Sequence, residues 1–562
     1  MSPTLERDPY DVPPTFWRRH EDQLWALAVF VLTAILAVVS FPPFHAPEVA
    51  YVLAAPAVYW AYFRPPLKLF AWTIFAAQAV AWTILLGWLH NVTWLGLALL
   101  GPFVGAWIGT WYLAVWWAMP RLVGRSVAVR VAGQLGLAGL WVLIEWSRTW
   151  LLDGFPWLPL AASQWQQVSI LQVSAYTGAW GVSFVLIAMS IGFPAFLHRL
   201  LREGKTGLSR RSQEFGLALV MLMGCLCLFF VQARPFDPRQ NAPVGRVAFV
   251  QPFIPQEVKW NPAQGPVIVS ALKSLTREAA ETHPDLILWP EAALPWPANG
   301  DPSNRAFPEA LAAEARAPLL FGSPAIEPGP KGASERWYNA AFLAMPDRGL
   351  QHTYYAKREL VPFGEFVPFR PLLGWLSKVV PLGDGDMSRG TDASPLVIPL
   401  PDGAQAAGML ICYEDTFPRL ARESALAGAD LLVVLTNTGW FGTGGVTDQH
   451  AAHSVLRAVE TRRPVLRCGN GGWSGWIDEF GVIRFAMRNS QGSVYFRGVH
   501  TATVTRDQRW VGRNSFYVEH GDWFVVVCAG LALLGYLAAV SAPRPSVPGA
   551  AGSRESDPDR GA

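Results

Sequence analysis

The sequence predicts two architectures in one chain: a bundle of eight membrane-crossing helices and, between the seventh and the eighth, a water-facing mixed α/β domain. Three observations predict it. Uncharged apolar runs recur through the first 232 residues and once more near the C-terminus, and a helix needs about 20 apolar residues to cross a bilayer. A long polar stretch from Arg234 to about His520 alternates short β-rich runs with helical patterns, the signature of a mixed domain. Hydrophobic residues make up 51% of the chain and charged residues 15%, and the mean hydropathy is +0.23, the balance of a membrane protein.

Taken in order, residues 1–21 are polar and place Arg18 and Arg19 just before the first apolar run, Leu24–Phe41. That run lacks a small-residue cleavage site and reads as an uncleaved anchor. The next spans are Val49–Phe63, Leu69–Leu89, Val92–Met119, Val131–Ile144, Ser169–Leu197 and Phe215–Val231, with Trp523–Val540 last. Val49–Phe63 is short and holds Pro56, so it is expected to be broken or tilted. Arg64 and Lys68, then Arg121, Arg125 and Arg130, then Arg199, Arg202, Lys205, Arg210 and Arg211 fall on alternate loops. Positive loops stay in the cytoplasm, which sends the polar stretch to the outer face. The expected division is a cytoplasmic segment 1–21, a seven-helix membrane part 22–233, an outer domain 234–520, an eighth helix 521–541 and a disordered tail 542–562. Glu145 and Arg148 end one span; ionisable residues at membrane depth are functional candidates by default, and the favoured reading here is an i,i+3 pair that ties helices together.

Composition also excludes some functions. A net charge of +3 with no basic cluster interleaved with aromatics gives no nucleic-acid surface. Of the five cysteines, Cys225, Cys227 and Cys528 lie inside apolar spans, leaving Cys412 and Cys468. Neither a disulfide framework nor a zinc spacing is available, and no cofactor is called for. The tryptophans, 27 in all, suit the two membrane interfaces.

Within the polar stretch, strand-like runs cover Val247–Gln251, Leu286–Trp289, Leu319–Phe321, Ala341–Met345, Met409–Ile411 and Leu431–Leu435, and helical patterns cover Val267–Glu281 and Ala451–Glu460. Three runs end in chemistry. Leu286–Trp289 leads through Pro290 to Glu291, Tyr354–Ala356 leads to Lys357, and Met409–Ile411 delivers Cys412. A carboxylate, an amine and a thiol at strand ends make a covalent catalytic set.

The order Glu, Lys, Cys with these flanks resembles the nitrilase superfamily. The phrases VQPFIPQEVKW, LILWPEAALPW, KRELVPFGEFVPF, LICYEDTFP and LTNTGWFG resemble, more narrowly, the apolipoprotein N-acyltransferase family. The resemblance covers most of the chain. It implies an extracytoplasmic nitrilase-like α-β-β-α sandwich beside the membrane helices, in a bacterial inner membrane. It also implies acyl transfer from a phospholipid, through a Cys412 thioester, to the N-terminal amine of a diacylglyceryl-modified apolipoprotein. On this reading Glu291 is the general base, and Lys357 with the Tyr413 backbone N–H stabilises the oxyanion. Glu365 and Glu414 hold the lysine and order the pocket, and Trp260 and Trp440 lie by the substrate. Pro252-Phe253, Thr438-Gly439 and Cys468-Gly469-Asn470-Gly471-Gly472 depart from the family's usual words and bear on acyl or acceptor preference.

The alternative is a membrane-tethered amidase or hydrolase that uses the same triad with water as acceptor. A transporter is disfavoured, because the helices lack paired, charge-bearing broken segments. Val361–Arg389 is rich in Phe, Leu, Gly and Pro. It reads either as ordinary core packing or as a mobile arm whose Leu372–Val380 stretch, with Trp375 and Leu376, dips into the outer leaflet and gates lipid entry.

Overall fold

In a computed structural model, the protein is described at residues 20–203, 212–232, 241–329, 334–374 and 386–541. Trp375 and Leu376 of the expected arm, Lys205, Arg210 and Arg211, Arg18 and Arg19, and the tail 542–562 lie outside these residues.

The membrane helices are α1 (Glu21–Val39), α2 (Ala55–Ala61), α3 (Leu67–Leu85), α4 (Trp94–Leu122), α5 (Val127–Ser147), α6 (Ala179–His198) and α7 (Gln213–Gln232). Among the described residues, 7 helices are long and apolar enough to cross a membrane; they include Trp523–Ser541 and leave out α2. The expected span Val49–Phe63 is indeed broken: a 3-10 turn, Pro47–Val52, precedes the short α2. Together the two pieces still carry the chain from one end of the bundle to the other. Pro42 lies against Gln449 of the polar domain, whereas Arg64 reaches the Pro120 carbonyl at the opposite end. Ser169–Leu197 is also shorter than expected. Gly178, at φ +67°, breaks it, and only α6 runs on as a long helix.

Local chemistry starts these helices where the apolar runs begin. Thr93 caps α4 by accepting from the Gly96 N–H, and Ser126 caps α5 by accepting from the Val129 N–H. α3 and α4 approach backbone to backbone. A Cβ at Gly105 would lie 2.6 Å from the Gln78 carbonyl carbon, so only glycine permits this crossing. Glu145 and Arg148 do not pair with each other as expected: among the described residues no ion pair joins them. Glu145 Oε1 accepts from the Leu160 N–H at 2.6 Å, and Arg148 donates to the Trp157 carbonyl. Both serve the loop after α5, whose buried backbone groups need partners.

The polar domain is four layers deep. One sheet runs β13-β1-β2-β3-β4-β5 with β6 on β4, and the other runs β12-β11-β10-β9-β8-β7. The strands of the first are β1 (Asn241–Gln251), β2 (Leu286–Leu288), β3 (Leu319–Glu327), β4 (Arg336–Met345), β5 (Gly349–Leu350), β6 (Tyr355–Ala356) and β13 (Gly498–Asp507). Those of the second are β7 (Leu396–Ile398), β8 (Gln405–Ile411), β9 (Leu431–Thr436), β10 (Val465–Gly469), β11 (Gly475–Ile477) and β12 (Ile483–Ala486). Period-two alternation sorts the side chains. Val247 and Phe249 of β1 meet Met409 and Ile411 of β8 and Val433 and Leu435 of β9 in the core between the sheets. Ala248 and Val250 face the other way, against α8 (Gly265–Glu281) and α9 (Pro302–Ala315). Leu410, Leu432 and Val434 face α10 (Pro418–Leu426) and α11 (Val446–Thr461), and this core continues into the membrane helices. The last helix, α12 (Trp523–Ser541), then packs beside α5.

The α10–α11 layer is thus held between a sheet and the membrane part. Gln449 of α11 forms the seam. Its Oε1 accepts from the Trp88 and Trp157 indoles at 3.1 and 3.0 Å, and its Nε2 donates to the Pro42 and Leu85 carbonyls at 3.1 and 3.0 Å.

Candidate active site

Parallel pairing of β2 with both β1 and β3, and of β9 with both β8 and β10, points the carboxyl ends of the strands in each set one way. Side chains just past such ends converge on a crevice. Glu291 follows β2, Lys357 follows β6, Cys412 follows β8, Asn437 follows β9 and Asn470 follows β10.

Lys357 lies 2.9 Å from Glu365 Oε1 and 3.5 Å from Glu291 Oε1 and is only 1% exposed. Asn339 of β4 donates to both carboxylates, at 2.7 Å to Glu291 and 3.0 Å to Glu365. Burial works against the Lys357 charge, but Glu365 first, then Glu291, more than offset it and hold the ammonium protonated. β3 passes so close behind Glu291 that a Cβ at Gly322 would lie 2.6 Å from the Glu291 Cα.

Cys412 adopts φ +53°, a conformation costly for any residue with a Cβ. It opens a 3-10 turn, Cys412–Thr416, so the first N–H groups of that turn have no partner within it. Thr436 Oγ1 approaches its sulfur at 3.5 Å, and the Asn437 N–H also faces it. Burial, then the Glu291 charge, push the thiol up to about 12, although Lys357 pulls it back. At rest the sulfur is therefore a thiol and needs a base before it can attack.

Glu414 is fully buried and does not hydrogen-bond to Lys357. It accepts from the N–H groups of Ile411, Arg358 and Glu359 at 2.7, 2.6 and 3.1 Å and from the Tyr355 hydroxyl at 2.8 Å. It therefore ties the thiol's strand to the lysine's strand through their backbones. The Tyr413 hydroxyl donates to the Gly154 carbonyl of the membrane part at 3.1 Å. Trp260 and Trp440 stand at the rim, 45% and 38% exposed. The Trp260 indole donates to Gln256, whose amide donates to Asn437.

The departing words form one wall. Thr438 donates to the Gly471 carbonyl at 2.9 Å, and a Cβ at Gly471 would strike the Phe253 ring at 2.6 Å. Cys468 is buried between the sheets, and all five cysteines are unbridged.

Sequence reasoning missed Asn339, Lys259 and the pair His450–Asp415. A lone Asn inside the apolar run 337–345 was the available signal for the first. Lys259 is 1% exposed, and its Nζ donates to the Glu291 carbonyl at 3.3 Å. Burial brings it down to about 8, against the pull of Glu291.

A carbon-nitrogen hydrolase family model matches residues 246–519, and a model of the apolipoprotein N-acyltransferase N-terminal domain matches residues 33–192. The apolipoprotein N-acyltransferase of Geobacter metallireducens is 31% identical over 525 residues, 90% of this chain and 94% of that one. That of Methylococcus capsulatus is 34% identical over 376 residues, 65% of this chain and 67% of that one. That of Chlorobaculum tepidum is 28% identical over 538 residues, 92% and 96% of the two chains. With both halves matched and a relative covered almost end to end, this chain belongs to the apolipoprotein N-acyltransferase family.

Proposed function

We propose that this protein moves an acyl chain from a phospholipid to the N-terminal amine of a diacylglyceryl-cysteine on an apolipoprotein, by way of a thioester on Cys412. The observation that carries the reading is where the thiol lies. Asn437, whose N–H faces Cys412, leads into the turn Thr438–Phe441. Phe441 in turn packs on Trp88 at 4.6 Å, and its carbonyl accepts from Asn91 at 2.9 Å, both in the loop between α3 and α4. A nucleophile beside a membrane loop meets substrates that are themselves lipid-anchored.

The chemistry follows from the geometry. Glu291 takes the Cys412 proton as the sulfur attacks the ester carbonyl of the phospholipid. Lys357 and the Tyr413 N–H stabilise the oxyanion, each such donor lowering the barrier by about 3 kcal/mol. Collapse releases a lysophospholipid, whose oxygen takes the proton back from Glu291. The acceptor amine then attacks the thioester and gives its proton to Glu291. The departing sulfur recovers that proton, leaving an amide. Glu365 keeps Lys357 charged, Glu414 sets the backbone of both, and Trp260 and Trp440 border the lipid entrance. The domain limits we assign are 22–233 for the membrane part, 234–520 for the catalytic part and 521–541 for the last helix. We assign the catalytic part to the periplasmic side of the inner membrane, a reading the basic loops at the opposite end of the bundle support.

Mass spectrometry after incubation with phospholipid tests this. The expected result is one hydroxylamine-labile acyl group on the Cys412 peptide, absent in Cys412→Ala and lost in Glu291→Gln. An adduct that survives in Cys412→Ala would overturn the assignment. Rapid release of free fatty acid without acceptor would instead indicate a hydrolase.

A further inference from the structure

Behind the thiol lies a buried polar cluster that the proposed reaction leaves unused. His450 of α11 has its Nε2 3.0 Å from the Cys412 carbonyl oxygen and 2.8 Å from Asp415 Oδ1. Both neighbours are acceptors, so the imidazole proton is on Nε2. Asp415 Oδ2 is held by Arg467 at 2.6 Å and by the Ser454 hydroxyl at 2.6 Å, and Arg467 also donates to Ser454 at 2.9 Å. All four side chains are buried. Burial first, then Arg467, keeps His450 neutral against the attraction of Asp415. A buried group that carries one fixed proton suits orientation rather than proton transfer.

The Cys412 carbonyl and the Tyr413 N–H belong to one peptide unit. Among the described residues the only cis bond is Pro42-Pro43, so this unit is trans and its C=O and N–H point in opposite directions. Fixing the carbonyl toward His450 therefore turns the Tyr413 N–H to the opposite side, away from α11. Without that hold, a residue at φ +53° gains by relaxing, and the peptide plane turns with it.

We propose that His450, braced by Asp415, Arg467 and Ser454, is a positioning residue that locks the Cys412–Tyr413 peptide so that the Tyr413 N–H serves as an oxyanion donor. This rests on Cys412 being the nucleophile. The lock also reaches the membrane part. Trp157 packs 5.4 Å from the rings of both His450 and His453, and His453 accepts from the Leu158 N–H at 3.3 Å.

Two reactions of the same sulfur separate this role from a merely structural one. Acylation by phospholipid passes through an oxyanion, whereas alkylation by iodoacetamide displaces iodide at a saturated carbon and forms none. In His450→Leu, acylation of Cys412 should fall roughly 100-fold at little-changed KM, the loss expected of one oxyanion donor. Alkylation should stay within about twofold of wild type. His450→Gln, which keeps an N–H donor, should recover most of the acylation. Ser454→Ala, which removes one of the two groups on Asp415 Oδ2, should lose about 2- to 10-fold, the effect of one hydrogen bond. Acylation unchanged in His450→Leu, or acylation and alkylation falling together in both His450 variants, would overturn the proposal. A wild-type protein alkylated at Cys412 but never acylated there overturns the nucleophile reading, and this proposal with it.

Discussion

Lys259 shows what a single buried charge does at this site. It lies under Glu291 with its ammonium on the Glu291 carbonyl, and burial brings it from its ordinary value near 10.5 down to about 8. Between those two values the unfolded chain holds a proton that the folded protein has released. Folding stability must therefore rise with pH across that window, and the penalty is full only below about 8. From pH 7.5 to 9.5 the Lys259 contribution should grow by roughly 2 kcal/mol. Thermal unfolding in detergent at these two pH values should show the gain in wild type relative to Lys259→Met. Equal pH responses in the two proteins would mean the ammonium reaches water. Asn339 solves the neighbouring problem differently. It neutralises no charge, but its amide gives a hydrogen to each of the two carboxylates that share Lys357.

At the scale of elements, α11 is the part that touches both the candidate site and the membrane helices. His450 reaches the Cys412 carbonyl, and Gln449 beside it binds four groups of the membrane part. Replacing Gln449 with Leu would strand two indole N–H groups and two carbonyls in a dry seam. An unpaired buried group costs about 1–3 kcal/mol, so stranding all four should cost about 4 kcal/mol or more. Calorimetry should show a lower unfolding temperature for Gln449→Leu; an unmoved transition would mean that water fills the seam. Much of this level could be read from the chain. The strand runs ending in Glu291 and Cys412 and the helical patterns of α8 and α11 are regular, and regular burial writes a regular pattern. α9 was missed even though Asp301 caps it and Pro302 starts it, because Pro308 inside the run reads as a breaker. β10 was missed because Arg467 and Cys468 interrupt its apolar run. The His450–Asp415–Arg467 cluster left no trace in the spacing. Its members lie on three elements and meet only when sheet, turn and helix stack.

For the whole molecule, the two ends of the bundle differ in charge, and that difference is the ground for the proposed orientation. The α1–α2, α3–α4 and α5–α6 connections meet the polar domain through Pro42, Trp88, Asn91 and Trp157. The opposite end gathers the cations: Arg64 reaches the Pro120 carbonyl there, and Arg130 and Arg199 both pair with Glu214. Glu214 cancels only part of that charge, and loops rich in Lys and Arg are retained in the cytoplasm. In the proposed orientation the polar domain faces the periplasm, on the side of the lipid-modified acceptor that the acyl-transfer reading requires. A membrane-impermeant maleimide applied to intact cells should label a cysteine placed at Asp402, in the exposed β7–β8 turn. A cysteine replacing Arg125, between α4 and α5, should stay unlabelled until the membrane is opened. The wild-type protein is the background control, because Cys412 and Cys468 are buried and the other three cysteines lie in α7 and α12. Labelling at Arg125→Cys with protection at Asp402→Cys would put Cys412 in the cytoplasm. The proposed acceptor is not presented there, and the acyl-transfer reading would have to be given up.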